Sequence, residues 1–308
     1  MYLKRIIIDI GSGNIKAYEV DRTNIKNIYL KNIEFKKHFS KDIGISEEDI
    51  NLLIEAIKYI QLNNPELPIW AGATSIFRML TNEQRNRVEE RIFNETGIGI
   101  HVISKEQEAI YMAKAVGDIP EINEPYLVCC VGGSSTEMIV MQNDSIIEHK
   151  TEEFATGDML KQFPEIANDI TNVDIDKMLN FVSQKFTNLP KKKCRFAIFT
   201  GFHLMYNQVA QNTMHNNNFF ENSNIPFYLT VDEFDTNNEY ACSHLNLQTL
   251  KQRYPQNPNF MNGTRGCHTV VSYIMHHVGA EFYFPTNLNM INGIVNELNK
   301  DELYVKNI

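Results

Sequence analysis

The sequence of 308 residues has no apolar run approaching the length that suggests a membrane span, which is roughly 18 residues. The opening residues, "MYLKRIIIDIGSG", pass almost at once into a strand pattern. That leaves no room for the charged and apolar regions of a signal peptide. We therefore expect a protein without a membrane partner.

Cysteine is sparse and irregularly placed. The five cysteines are odd in number and include no CxxC pair; they are Cys129, Cys130, Cys194, Cys242 and Cys267. This pattern indicates neither a disulfide framework nor a zinc site. Free cysteines suit a reducing compartment, so the expected location is the cytoplasm.

The chain also lacks an excess of positive charge. Its formal net charge is −9, so the surface as a whole does not attract DNA or anionic membranes. A polyanionic partner would need a local positive site. Hydrophobic residues make up 43% and charged residues 22%, as in soluble globular proteins, and the length allows two domains.

One pattern occurs twice along the chain: a strand, a glycine turn and a second strand. It is found at 6–20, with the turn "DIGSGN", and at 126–142, with the turn "VGGSST". Each copy predicts an antiparallel hairpin. The long-range repetition predicts two related lobes that present their turns to a shared cleft.

Both turns have the residues that phosphate binding requires. Glycine lets backbone N–H groups approach an anion closely, and serine and threonine hydroxyls add further donors. One such turn alone fits an ordinary hairpin equally well. Two turns with matching strands favour phosphate binding.

Charged residues near these turns are candidates for the chemistry. Asp9 and Glu137 are natural Mg²⁺ partners, directly or through water; Glu137 could otherwise be a solvated strand carboxylate. Arg78 could bind a phosphate through two hydrogen bonds or be a surface helix charge. Glu106 and Glu108 lie two apart on a predicted helix, so only one of them can face the cleft, where it could accept a proton from water.

Five segments of the sequence occur in the order and approximate spacing of one known family. They are "DIGSGNIKAYEV", "ATSIFRMLTN", "VISKEQEAIYMAKAVG", "VGGSSTEMIV" and "AIFTGFHLM". In these segments, which span almost the whole chain, the sequence resembles the exopolyphosphatase / guanosine pentaphosphate phosphatase (Ppx/GppA) family. The resemblance implies an α/β fold with two ribonuclease-H-like lobes of the actin/Hsp70/sugar kinase superfamily around a central cleft. The implied lobes are residues 1–122 and 123–287, with the final helix, 288–308, a candidate to pack back on the first lobe.

The resemblance also implies roles for individual residues. Glu108, rather than Glu106, matches the catalytic base that orients the attacking water. Arg78 lies with Thr74 and Ser75 in the Ala-Thr-Ser-x-x-Arg segment at the cleft. The implied phosphate-binding and metal-associated positions are Asp9, Gly11, Ser12 and Asn14 in the first loop, Gly132, Gly133, Ser134, Ser135, Thr136 and Glu137 in the second, and Gly201 in a later turn.

Some positions depart from the family pattern. The second loop of the family usually reads Asp-x-Gly-Gly-Gly-Ser-Thr-Glu, and its Asp helps to hold the metal. Here Cys130 takes the place of that Asp, and Ser134 that of the third glycine. A thiol is a poor ligand for Mg²⁺, so we expect weakened metal affinity. Gly13-Asn14 in the first loop and Phe202 after Gly201 are further departures.

The leading functional prediction is a phosphohydrolase that releases terminal phosphate from inorganic polyphosphate, using Glu108 and Mg²⁺ or Mn²⁺. A guanosine pentaphosphate 5′-phosphohydrolase is an alternative within the same class. A non-catalytic regulator that binds polyphosphate or guanosine polyphosphates is the alternative that Cys130 favours. The resemblance also suggests a homodimer.

Overall fold

The computed structural model describes residues 4–33, 35–117, 119–169 and 172–305. Its strands are β1 Arg5–Ile10, β2 Asn14–Asp21, β3 Asn24–Asn32, β4 Ile69–Ala73, β5 Ile100–Val102, β6 Tyr126–Val131, β7 Thr136–Gln142, β8 Ser145–Glu152, β9 Phe196–Thr200, β10 His215–Asn216, β11 Phe227–Thr230 and β12 Phe282–Pro285.

The helices are α1 Phe35–His38, α2 Glu47–Asn63, α3 Ser75–Arg78, α4 Asn82–Thr96, α5 Lys105–Val116, α6 Thr156–Gln162, α7 Ile175–Lys185, α8 His203–Ala210, α9 Val231–Ser243, α10 Leu247–Arg253, α11 Thr264–Val278 and α12 Met290–Val305. Short 3-10 turns lie at Pro164–Ala167 and Pro258–Gly263. No helix in the described ranges is both long and apolar enough to cross a membrane.

The chain divides into two compact units. The first unit contains the described residues up to Tyr111 and those from Met290 on, and the second unit is Met112–Asn289. The change from one to the other falls inside α5, whereas the sequence-based division lies after residue 122. The last three residues of the predicted final helix, 306–308, lie outside the described residues.

The first unit is built on a sheet in the order β3-β2-β1-β4-β5. β1, β2 and β3 form an antiparallel meander, and β4 and β5 continue it in parallel with β1. The isoleucine run of β1 is explained by burial of both sheet faces. Ile6 and Ile8 pack with α2 and α4, while Ile7 packs with the α12 side chains Ile291 and Ile294.

Local sequence determines where two helices of the first unit, α2 and α5, begin. Ser46 accepts a hydrogen bond from the Asp49 N–H and so starts α2. Ser104 and Gln107 exchange side-chain and backbone hydrogen bonds at the start of α5, as their spacing predicts.

A Cβ on Gly293 would lie 1.7 Å from the Tyr111 carbonyl oxygen, so α12 and α5 approach as closely as glycine alone allows.

The second unit has a seven-stranded sheet in the order β10-β11-β12-β9-β6-β7-β8. β6, β7 and β8 form an antiparallel meander, and β9 lies parallel to β6 on its other side. One face of this meander carries Cys129 and Met138 into the core with residues of α7, α9 and α11. Because side chains alternate along a strand, Cys130 and Glu137 lie on the opposite face.

Candidate functional site

The two glycine turns have the same closing hydrogen bond. The N–H of Gly11 donates to the carbonyl of Asn14 at 2.9 Å, and the N–H of Gly132 donates to the carbonyl of Ser135 at 3.0 Å. Gly13 and Gly133 are the exposed residues of their turns. The predicted repetition is therefore a repetition of backbone geometry, with one turn in each unit.

The second turn is held from one side by the start of α6. The N–H groups of Thr156 and Gly157 donate to the carbonyls of Gly132 and Gly133, at 3.2 and 2.9 Å. The peptide bonds of the turn are trans, so the N–H groups of Gly133 and Ser134 point away from α6. Two successive N–H groups on one side form the kind of concavity that binds anions.

Gly157 makes this arrangement possible, although its position in the sequence carries no signal for it. A Cβ on Gly157 would lie 2.5 Å from the carbonyl oxygen of Gly133. A side chain there would push the turn off α6. Gly157 is therefore a positioning residue for the second turn.

The hydroxyl residues of the turns differ in exposure. Ser12, Ser134 and Ser135 are half-buried. Thr136 is fully buried, and its hydroxyl donates to the carbonyl of Phe154 at 2.7 Å. This hydroxyl fastens β7 to the chain after β8, while the place of Thr136 in a phosphate-binding loop stays a prediction.

Asp9 lies opposite Lys16 in the first hairpin, as a direct cross-strand pair. Burial raises the pKa of Asp9, and the positive charge of Lys16 opposes that rise. The half-exposed Lys16 is a candidate site residue as the partner of Asp9, and the sequence motifs did not indicate it. Counting outward from the turn would have found it, since both strands of this hairpin are regular around the turn.

Cys130 and Glu137 occupy the corresponding cross-strand positions in the second hairpin. Glu137 is only 2% exposed. Its Oε2 accepts hydrogen bonds from the Thr151 hydroxyl and from Nε2 of His149, the latter at 3.0 Å. Its Oε1 is buried and has no hydrogen-bond partner in the described part of the chain. His149 and Thr151, both on β8, were not among the predicted residues.

Gly201 shapes the turn that follows β9. Its φ of +100° is strained for any residue with a side chain, and its N–H donates to the carbonyl of Leu288 at 2.8 Å. A Cβ there would lie 3.6 Å from the sulfur of Cys130. Phe202 follows with φ of +73°, so a bulky residue takes a left-handed conformation beside the turn.

In the first unit, Arg78 and Glu108 form an ion pair. Nη1 of Arg78 donates to Oε2 of Glu108 at 2.7 Å and to the carbonyl of Ile103 at 2.9 Å. Their side chains are 15% and 17% exposed. Glu106 is exposed. The predicted phosphate clamp and the predicted base are thus brought into direct contact.

Thr74 and Ser75 lie between β4 and Arg78. The N–H of Thr74 donates to the carbonyl of Ile10 at 3.1 Å, which fastens the end of β4 to the residue before the first turn. Thr74 is buried, and Ser75 is the first residue of α3. The Ala-Thr-Ser-x-x-Arg segment therefore connects the first turn with the Arg78–Glu108 pair.

A divalent cation would need ligands from substrate phosphates or water in addition to the protein's carboxylates. Among the described residues there is no cluster of three or more His, Cys, Asp or Glu that could hold a metal ion by itself. Mg²⁺ and its substitutes commonly use one or two carboxylates together with substrate phosphates and water. The partnerless buried Oε1 of Glu137 suits such a role.

Comparison with known proteins identifies the family of the chain. The family model described as "Ppx/GppA phosphatase family" matches residues 30–199, more than half of the chain. No curated protein matches the sequence. The solved structures that resemble this chain have low sequence identity to it, so the similarity concerns the fold.

Three solved structures illustrate that similarity. A Ppx/GppA family member from Aquifex aeolicus is 15% identical, covering 97% of this chain and 98% of its own, with a TM-score of 0.70. An exopolyphosphatase from Cytophaga hutchinsonii is 14% identical over 96% and 97%, with a TM-score of 0.69. An exopolyphosphatase-like protein is 18% identical over 98% and 99%, with a TM-score of 0.68. These matches confirm the predicted fold class.

Proposed function

Because the chain belongs to the Ppx/GppA phosphatase family, we propose that it hydrolyses phosphoanhydrides and releases the terminal phosphate of inorganic polyphosphate. The observation that carries the proposal is the glycine turn in each unit, closed by the same hydrogen bond. Backbone N–H groups fixed in this way suit a chain of phosphates, whose oxygens are repeated acceptors of equal chemistry.

In the proposed reaction a water oxygen attacks the terminal phosphorus, and the bond to the bridging oxygen breaks. Glu108 orients the water and takes its proton, and Asp9 and Glu137 are the proposed carboxylates for Mg²⁺ or Mn²⁺. The bound cation supplies neutralisation of phosphate charge. Positioning and charge neutralisation provide most of the catalysis in phosphoryl transfer, so little else is required of the protein.

The Arg78–Glu108 ion pair bears on both roles. A carboxylate that accepts a hydrogen bond from a guanidinium is held in one orientation. Both hydrogen bonds of Arg78 use Nη1, so a phosphate oxygen can bind the guanidinium through Nη2 while Glu108 stays in place. Arg78 would then contact the phosphate and orient Glu108 at the same time.

The proposal is tested by orthophosphate release from inorganic polyphosphate, guanosine pentaphosphate and guanosine tetraphosphate, each with Mg²⁺, Mn²⁺ or a chelator. We expect release from polyphosphate with either metal and none with the chelator. Faster release from guanosine pentaphosphate would instead support the 5′-phosphohydrolase. The absence of release from every substrate and metal would contradict the proposal.

Cys130 favours the second candidate, a regulator that binds these polyanions without turnover. In the family pattern an acid stands at this position, beside Glu137 across the hairpin. Calorimetry on the same ligands separates the candidates: tight binding of polyphosphate or a guanosine polyphosphate without any phosphate release would establish the regulator.

Cys130→Asp is expected to lower the Mg²⁺ concentration needed for half-maximal rate by about tenfold, because a second carboxylate beside Glu137 adds charge and a hard oxygen ligand. Without metal the two adjacent carboxylates repel, so the melting temperature of the variant should rise more steeply with Mg²⁺ than that of the wild type.

Cys130→Asn is the matched control, since it has the shape of aspartate without its charge. It should leave the Mg²⁺ requirement close to that of the wild type. Identical metal titrations for Cys130→Asp and Cys130→Asn would show that position 130 does not contribute to a metal site.

A further inference from the structure

The two oxygens of the Glu137 carboxylate have unequal surroundings. Oε2 accepts from two side chains, Thr151 and His149, whereas the buried Oε1 has no hydrogen-bond partner within the described residues. A buried acceptor that lacks a partner costs free energy, and in native proteins it commonly marks a site for water, an ion or a reacting group.

The donors to Oε2 follow from the chemistry of the three groups. An ionised carboxylate only accepts hydrogen bonds, so His149 must carry a hydrogen on Nε2. The Thr151 hydroxyl donates to the same oxygen, and its own oxygen lies 3.2 Å from Nε2 of His149. The imidazole N–H can therefore be shared between Oε2 of Glu137 and the hydroxyl oxygen of Thr151. Glu137, His149 and Thr151 therefore form a hydrogen-bonded triangle in which each side chain contacts the other two.

A β-bulge places these partners on the face of Glu137. Near the turn, Gln142 pairs with Ser145 and Met141 with Ile146. The next pair is Val140 with Glu148, so the register from there to Thr136 is shifted by one residue. Glu137 consequently lies opposite Thr151, and His149, two residues away, projects from the same face of β8. Without the shift, Lys150 would lie opposite Glu137.

We propose that His149 and Thr151 are positioning residues that hold Oε2 of Glu137, so that Oε1 alone is presented to a divalent cation. This inference rests on the proposed function, because it gives Glu137 a metal-associated role. It also explains how the second hairpin can contribute one acid, Glu137, where the family pattern has another at position 130: the orientation of the Glu137 carboxylate is fixed in advance. Loss of such outer partners commonly weakens metal affinity by 10- to 100-fold.

A second histidine–glutamate pair shows what a surface contact alone looks like. Nε2 of His215 lies 2.8 Å from Oε1 of Glu233, and both side chains are exposed. This pair has a comparable distance, but Glu233 is not buried. His215→Ala is therefore a matched control for removal of an imidazole from a glutamate.

The test is Mn²⁺ binding to the full chain, followed by the electron paramagnetic resonance signal of free Mn²⁺. We expect His149→Ala and Thr151→Val to weaken Mn²⁺ binding about tenfold or more. His149→Gln and Thr151→Ser, which keep a donor, should recover most of the affinity, and His215→Ala should match the wild type. A merely structural role would not be restored selectively by the donor-keeping variants.

Two results would overturn the inference: equal Mn²⁺ affinity in all variants, or no Mn²⁺ binding by the wild type. Melting temperatures verify folding, and Thr151→Val against Thr151→Ser carries the test if His149→Ala does not fold. The expected Mn²⁺ pattern without phosphate release from any substrate would support the inference and reject the hydrolase. Phosphate release together with unchanged Mn²⁺ affinities in the variants would support the hydrolase and reject the roles of His149 and Thr151.

Discussion

Replacing Glu108 with glutamine is expected to lower the kcat for phosphate release from polyphosphate by about two to four orders of magnitude, the usual contribution of a general base. Glutamine cannot take a proton from water, but its carbonyl oxygen can still accept the hydrogen bond that Arg78 now donates to Oε2. The local geometry should therefore survive. KM should change little, because the turns that we propose to bind phosphate are not altered.

Glu106→Gln is the control for this experiment. Glu106 lies two residues earlier on α5, on a different face of the helix, and is exposed whereas Glu108 is half-buried. The Glu106 variant should retain the wild-type kcat, with kcat and KM obtained from initial rates of orthophosphate release. If the two variants had the same rate, or if Glu108→Gln kept wild-type turnover, Glu108 would not be the base.

The backbone of the candidate site could be predicted from sequence because it depends on local signals. Each glycine turn lies between two strands adjacent in the chain, so the pattern in the sequence is the hairpin itself. The start of α5 was predictable for the same reason, since Ser104 and Gln107 bond within one helical turn. The order of such segments was enough to identify the fold.

The partners of Glu137 depend on a register that the sequence does not reveal. Counting back from the Asn143–Asp144 turn in a regular hairpin would place Lys150 opposite Glu137, in imitation of the Asp9–Lys16 pair. The bulge at Val140 and Met141 adds one residue and reverses which side chains of β8 face Glu137. No glycine or other residue typical of a bulge marks this position in the sequence, so His149 and Thr151 could not be predicted as the partners of Glu137.

Contacts between separate elements were also beyond the sequence. Arg78 ends α3 and Glu108 lies in the first turns of α5, and their pairing depends on how both elements pack on the sheet. Thr136 belongs to a motif typical of phosphate binding, yet the carbonyl of Phe154 takes its hydroxyl. Motifs thus identified the residue types near the turns, whereas packing decides which of their atoms remain for a ligand.

Arg265→Met is expected to destabilise the second unit by about 3–5 kcal/mol, because an unsatisfied buried acceptor costs about 1–3 kcal/mol and several carbonyls lose their donor. The side chain is 1% exposed and contacts four backbone carbonyls with its three nitrogens. The acceptors are those of Ala241 at 3.0 Å, Ile166 at 3.0 Å, Asn168 at 2.8 Å and Leu245 at 2.8 Å. Burial lowers the pKa of Arg265, yet guanidinium groups remain charged in proteins.

Those acceptors belong to two stretches far apart in sequence, one around the 3-10 turn at Pro164–Ala167 and one at the end of α9. Methionine keeps the apolar bulk but cannot donate to the carbonyls, so both stretches lose the hydrogen bonds that attach them to α11. The thermal midpoint, followed by circular dichroism, should fall by on the order of 10 °C. Arg253→Met removes an exposed arginine that donates to one carbonyl, that of Val209, and should change stability by no more than about 0.5 kcal/mol. Equal midpoints for the two variants would mean that the buried guanidinium does not hold the second unit together.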